Sequence, residues 1–223
     1  MTKLIKISLA FLLLLLCTLP AQAHVIAYEL DKTPEPQYIV FGKYLATGFQ
    51  HIIPLGLDHI LFILCVFFLN TNIKKIILQA SMFTLAHSIT LGLAMYGIIK
   101  PAANIVEPLI AFSIVFLALE NIWSDKVRPW RMVMVFIFGM VHGMGFAGAL
   151  AGLGMPQQAF ATALVAFNIG VEAGQLCIIL LMYFCVAKVF SGKAWYRKRI
   201  VIPSSLAIAL IAGYWTVERI FFV

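Results

Sequence analysis

Six apolar segments, at residues 42–69, 75–98, 103–123, 131–153, 158–187 and 201–222, run almost end to end through the sequence. Each supplies the roughly 20 residues a helix needs to cross the hydrocarbon core of a bilayer. In lipid a chain must satisfy its backbone hydrogen bonds internally, and segments of this length do so as α-helices. The expected fold is therefore all-α: a polytopic membrane protein with six transmembrane helices over residues 38–223. The sequence is 63% hydrophobic and only 11% charged, against about 25% charged in an ordinary soluble domain, which excludes that class. No connection between the segments is long enough to fold alone. Whatever the chain does, it does within the bilayer or in short loops.

The first 23 residues read as a cleaved signal peptide. Lys3 and Lys6 form a positive start, residues 7–17 an apolar core, and Ala21-Gln22-Ala23 a small-x-small cleavage site. Cleavage would leave His24 as the mature N-terminus, heading a short polar periplasmic linker at 24–37. Orientation follows from the basic residues. With an external N-terminus, the cytoplasmic connections hold Lys74, Lys75, Lys126, Arg128, Arg131, Lys188, Lys193, Arg197, Lys198 and Arg199, and the external side only Lys32, Lys43, Lys100 and Arg219. The positive-inside rule then places a multi-pass protein in a bacterial-type inner membrane with both termini external. The net charge of +7 is thereby a topology signal, and no nucleic-acid partner is implied. Cys65, Cys177 and Cys185 lie in apolar runs and read as small buried hydrophobes.

Polar side chains at membrane depth are expensive, and several of the spans carry them. In HIIPLGLDHILF, His51 lies near the external end of the first span, with Asp58 and His59 seven and eight residues on. On a straight helix His59 would sit about 12 Å deeper, with His51 and Asp58 on one face. Pro54 and Gly56 between them free backbone groups toward a ligand. His87 is midway along the second span, followed by Ser88, and His142 is near mid-depth in the fourth. In the fifth, Asn168, Glu172 and Gln175 form one polar stripe. Asn168 and Gln175 also suit interhelical hydrogen bonding. Glu107, at a helix start, reads as a dipole partner, Glu120 as an interfacial charge beside Lys126 and Arg128, and Glu218 and Arg219 as neutralising each other or snorkelling. The small residues Gly139, Gly143 and Ala147, and Gly148 with Gly152, mark seams for close helix approach.

Imidazole and carboxylate together suit divalent first-row transition metals. The expected ligands are His51, Asp58, His59, His87, His142 and Glu172. Accessory groups are Ser88, Asn168, Gln175 and His24, whose α-amino group would add a second donor. Asp58 could instead fix a histidine tautomer, and the same groups could relay protons.

Four motifs then stand out in order: His51-x4-Gly56-x-Asp58-His59, Thr84-Leu-Ala-His87-Ser88, Phe138-Gly-Met-Val-His142-Gly-Met-Gly-Phe146 and Phe167-Asn-Ile-Gly-Val-Glu172-Ala-Gly-Gln175. Together, over residues 40–187, they resemble the HupE/UreJ family, and more closely its second, broader branch. The resemblance implies a six-span permease-like protein for nickel, and for cobalt, with His51, Asp58 and His59 in the metal site. Better-studied members have proline directly after the first histidine. Here Pro54 is three residues on and the His–Asp spacing is one longer, a slip of about 100° around a helix.

The leading expectation is a transition-metal permease with the metal ion as substrate and the lipid bilayer as its surroundings. No nucleotide-binding motif is present, so drive would come from a gradient, a partner or the membrane potential, worth about 2.3 kcal/mol per charge per 100 mV. Two rivals remain open: an intramembrane zinc hydrolase with Asp58 or Glu172 as general base, and a non-catalytic metal-binding accessory protein. An accessory partner protein and a homo-oligomer are likewise open.

Overall fold

The computed structural model describes residues 35–70, 72–152 and 157–222; the expected signal peptide, most of the linker and His24 lie outside them. Seven principal helices follow in order: α1 Gln37–Ile52, α2 Leu57–Phe68, α3 Ile73–Met95, α4 Ala103–Trp123, α5 Trp130–Gly152, α6 Phe160–Met182 and α7 Ile202–Phe221. Helix α6 runs on through a π turn to Phe190, and α7 is entered through another at Arg197–Val201. Among the described residues five helices, α3 to α7, are long and apolar enough to cross a membrane. The chain is a multi-pass membrane protein. Apolar side chains such as Leu78, Leu85, Leu181 and Leu210 cover the outside, while His87, Gln175, Ser113 and Asn121 are buried inside. That inversion of an ordinary soluble surface is what a lipid solvent demands.

The expected first span is not one helix. α1 and α2 meet at a 67° bend and count as a sixth span only when taken together. Two residues explain the break. Pro54 offers no backbone N–H to continue the α1 ladder; its peptide bond with Ile53 is cis. Gly56 packs so closely on the end of α1 that a Cβ there would overlap the His51 carbonyl oxygen. The Tyr44, Gly48 and Ile52 stripe of α1 is buried, and the Gly48–Ile52 stretch packs against α6.

Three close helix pairs build the bundle. α1 packs on α6, with Gly48 against the Phe167 carbonyl and Gly174 against Ile52. α3 packs on α5, with Gly139 against Phe83 and Gly143 against His87, and Thr90 donating to the Met140 carbonyl at 2.7 Å. α4 packs on α7, where Arg197 reaches Asn121 at one end and Arg219 reaches Glu107 at the other. The residue numbers rise together in the first two pairs and oppose each other in the third. Six alternating spans require that set of directions when α1 and α2 form one crossing. The Gly139–Gly143 seam is as expected; Gly148 has open space beside it and is no part of the seam.

The glycine approaches are selective. A Cβ at Gly170 would overlap the Leu45 carbonyl oxygen and come within 2.8 Å of the Phe49 nitrogen, whereas Gly42 on α1 has open space. Overpacking of a close contact typically costs about 1–3 kcal/mol. Gly170→Val should therefore lower the thermal unfolding midpoint in detergent, and Gly42→Val should leave it near wild type.

The short helix α2 sits in the middle of the pairs, and Leu61–Asn70 are all buried. Such a helix has orphan backbone groups away from water at both ends. At its C-terminal end Asn121 Nδ2 donates to the Cys65 carbonyl at 2.9 Å, and Arg131 Nη2 donates to the same oxygen at 2.8 Å. Arg131 is fully buried and also pairs with Glu120, so neither is the loop or interfacial charge that the sequence suggested. Arg197 covers the last α4 carbonyls, of Asn121 and Ile122, at 3.1 and 2.9 Å, the favourable end of the dipole for a cation. Cys65 is buried as expected, but Cys177 and Cys185 are exposed on the outside of the bundle.

Candidate metal centre

The bend between α1 and α2 assembles the site. It brings the last turn of α1 back over the first turn of α2, so the His51 and His59 rings lie 4.6 Å apart, centre to centre. A straight helix would have kept them about 12 Å apart along its axis. His87 from α3 completes a triad, 6.1 Å from His51 and 5.8 Å from His59 between ring centres. One nitrogen from each of the three lies within 4.8 Å of the other two. Donors sharing one ion at about 2.0–2.1 Å stand about 3.4 Å apart in a tetrahedron, so binding requires the rings to close in slightly. Nε2 of all three is buried and has no hydrogen-bond partner.

The neighbours fix which ring nitrogens carry lone pairs. Asn168 Nδ2 donates to the Leu164 carbonyl at 2.8 Å, which turns its oxygen toward His87 Nδ1 at 3.4 Å. His87 Nδ1–H therefore donates to Asn168, and Nε2 presents its lone pair to the triad. This is the arrangement by which a partner orients a metal-binding imidazole. His142, on α5, has its ring centre 4.9 Å from that of His59. Ser113 Oγ spends its one proton on the Ile110 carbonyl at 2.6 Å, so it accepts from His142 Nε2 at 3.0 Å. That leaves the buried Nδ1 of His142 unpartnered. Phe146 packs 3.8 Å from His51 and stacks on Phe167, while Phe62 and Phe83 stand 5.1 and 5.0 Å from His142. These rings wall the histidines with apolar surface, against which unpaired imidazole nitrogens are costly unless something binds them.

The other expected residues go elsewhere. Asp58 does not join the histidines: both its oxygens accept from Arg219 Nη2, at 3.1 and 3.0 Å. The reason is the bend, which removes the common face with His51. Asp58 instead sits in the first turn of α2, where a carboxylate suits the helix dipole. Arg219 also pairs with Glu107 at 3.4 Å and lies over Trp215; it is not matched with Glu218, which accepts from Tyr214. Glu172 accepts from Ser81 at 2.6 Å, outside the triad. Ser88 donates to the Thr84 carbonyl within its own helix, and Gln175 meets Thr84 at 3.3 Å. Ser113, Phe62 and Phe83 escaped the sequence reading, and Phe146 and Phe167 stood in its motifs without a role. Nothing in the 103–123 segment singled out Ser113, and phenylalanine in an apolar span carries no signal of its own.

The family model for HupE / UreJ protein matches residues 9–219. The chain belongs to the HupE/UreJ family. No curated protein and no solved structure shows significant similarity to it. In this HupE/UreJ chain, each of the four sequence motifs contributes to one region of the bundle. The first supplies His51 and His59, the second His87, the third His142 and Phe146, and the fourth Phe167 and Asn168.

Proposed function

We propose that the chain is an inner-membrane permease for a divalent transition metal of the nickel or cobalt type. Its ion is held by Nε2 of His51, His59 and His87, with His142 as a fourth imidazole alongside. The observation that carries this reading is the histidine triad itself: one ring nitrogen of each lies within 4.8 Å of the other two, and Nε2 of each is buried without a partner. Membership of the HupE/UreJ family supports the same substrate class. Imidazole suits nickel, cobalt and zinc alike, and the fixed tautomer of His87 supports binding through Nε2.

The triad is made of neutral donors, so a bound dication keeps its charge. A membrane potential of 100 mV, negative inside, would favour inward movement of a dication by about 4.6 kcal/mol. The hydrolytic alternative asks for a free base beside the metal; Asp58 is occupied by Arg219, and Glu172 lies with Ser81, outside the triad.

The test is Ni²⁺ and Co²⁺ uptake by the full chain in proteoliposomes, with metal analysis of the purified protein. Saturable uptake of either ion is expected. Tightly held, non-exchangeable zinc with no uptake would overturn the proposal.

A further inference from the structure

We propose that Glu172 heads a second cation site, an oxygen-donor site for a hard divalent ion. It would lie one step beyond the imidazole triad, toward the end of the bundle that holds the N-terminus of α3. The inference rests on the permease reading and deepens it, because it names where the ion goes next.

The carboxylates that lie between helices are matched with one exception. Asp58 and Glu107 face Arg219, and Glu120 faces Arg131. Glu172, among the described residues, accepts only from the Ser81 hydroxyl, and its Oε2 is buried with no partner. A carboxylate at membrane depth without a counter-charge is costly, and such residues mark ion or proton paths.

Gln175 stands one turn further along α6, fully buried, with one amide atom unpartnered. Thr84 Oγ1 lies against Gln175 Oε1 and Nε2 is the atom without a partner, but exchanging the two amide atoms fits the Thr84 hydroxyl equally well. That hydroxyl lies 3.3 Å from the Ala80 carbonyl and 3.3 Å from the Gln175 amide. A hydroxyl has one proton. Given to the Ala80 carbonyl, that proton leaves Thr84 to accept from the Gln175 amino group. The amide oxygen then takes the unpartnered position. Such an exchange of amide oxygen and nitrogen is decided by the hydrogen-bond network rather than by the shape of the side chain.

The donor set is then the Glu172 carboxylate, the Gln175 amide oxygen and the Ser81 hydroxyl. All three lie between α3 and α6. Asn168, which holds His87, is on the same α6 stripe, about 6 Å from Glu172 and 10 Å from Gln175 by helical rise. The residues run His87 to Ser81 down α3 and Asn168 to Gln175 along α6, two edges of one track. Oxygen donors hold late first-row metals less strongly than imidazole does and suit Mn²⁺ and Mg²⁺. An ion leaving the triad would meet the charge that the triad lacks, in a site that releases it readily.

The experiment uses the full chain in nanodiscs, with Mn²⁺ as the probe of the oxygen site by electron paramagnetic resonance and Co²⁺ as the probe of the triad by its visible bands. Glu172→Gln should weaken Mn²⁺ binding about 10–100-fold, with Glu172→Asp recovering part of the loss. The Co²⁺ bands should stay as in wild type, while Co²⁺ flux into proteoliposomes falls about tenfold or more. His59→Ala should remove the Co²⁺ bands and keep the Mn²⁺ signal. Mn²⁺ binding that is absent in wild type, or unchanged in Glu172→Gln, would overturn the proposal. So would loss of both signals in Glu172→Gln, which would make Glu172 a packing residue. If wild type lacks the Co²⁺ bands but Mn²⁺ binding follows Glu172, the second site stands and the triad reading fails.

Discussion

His59→Ala should abolish measurable Co²⁺ and Ni²⁺ binding and uptake by the full chain. His59 is the hinge of the centre: its ring lies within 6 Å of those of His51, His87 and His142. Its removal takes away a direct donor and leaves two imidazoles of the triad, a greater loss than removing a group that merely orients a donor. Asn168→Leu supplies the comparison. It keeps all four histidines and removes the acceptor that fixes the His87 tautomer. Loss of such a partner typically costs about 10–100-fold in metal affinity. Equilibrium dialysis should rank the affinities wild type, then Asn168→Leu, then His59→Ala. Equal losses in the two variants would contradict the assignment of Nε2 as the His87 donor.

The largest effect on stability should come from Arg131→Leu. Arg131 is fully buried, pairs with Glu120, and donates to the Asn121 side chain at 3.2 Å and to the Cys65 carbonyl. Removing one partner of a buried pair typically costs about 3–5 kcal/mol, because the other charge is left uncompensated. Here a backbone carbonyl at the end of α2 also loses a donor. Arg131→Leu combined with Glu120→Leu removes the stranded carboxylate and should recover part of the loss. It should not recover all of it, since the Cys65 carbonyl keeps only Asn121. Thermal unfolding of the three variants in detergent measures this directly. A double variant no better than Arg131→Leu would show that the backbone cap, and not the ion pair, carries the effect.

The spans were legible because lipid imposes a length and a hydropathy that few soluble helices meet. The boundaries of α4 and α5 fall within a residue or so of the expected 103–123 and 131–153. The histidines were legible for a related reason: an imidazole in hydrocarbon is rare enough to signal a shared centre. What periodicity could not supply was the bend. A straight-helix reading of HIIPLGLDHILF separates His51 from His59 and aligns His51 with Asp58. Pro54 and Gly56 were noted as places where the backbone loosens, but the angle of a break is set by tertiary packing on α6. The same limit hid the arginines. Arg131 and Arg219 counted as loop and terminal charges in the topology argument. Each instead serves an end of α2, a buried short helix whose existence follows only from the break.

The central claim is that three imidazoles hold the transported ion, and X-ray absorption at the cobalt K-edge of the Co²⁺-loaded chain in nanodiscs tests it most directly. The expected spectrum fits about three nitrogen ligands with the multiple scattering of imidazole rings, and that component disappears in His59→Ala. A shell of oxygen or sulfur alone, or an imidazole component unchanged in His59→Ala, would contradict the claim.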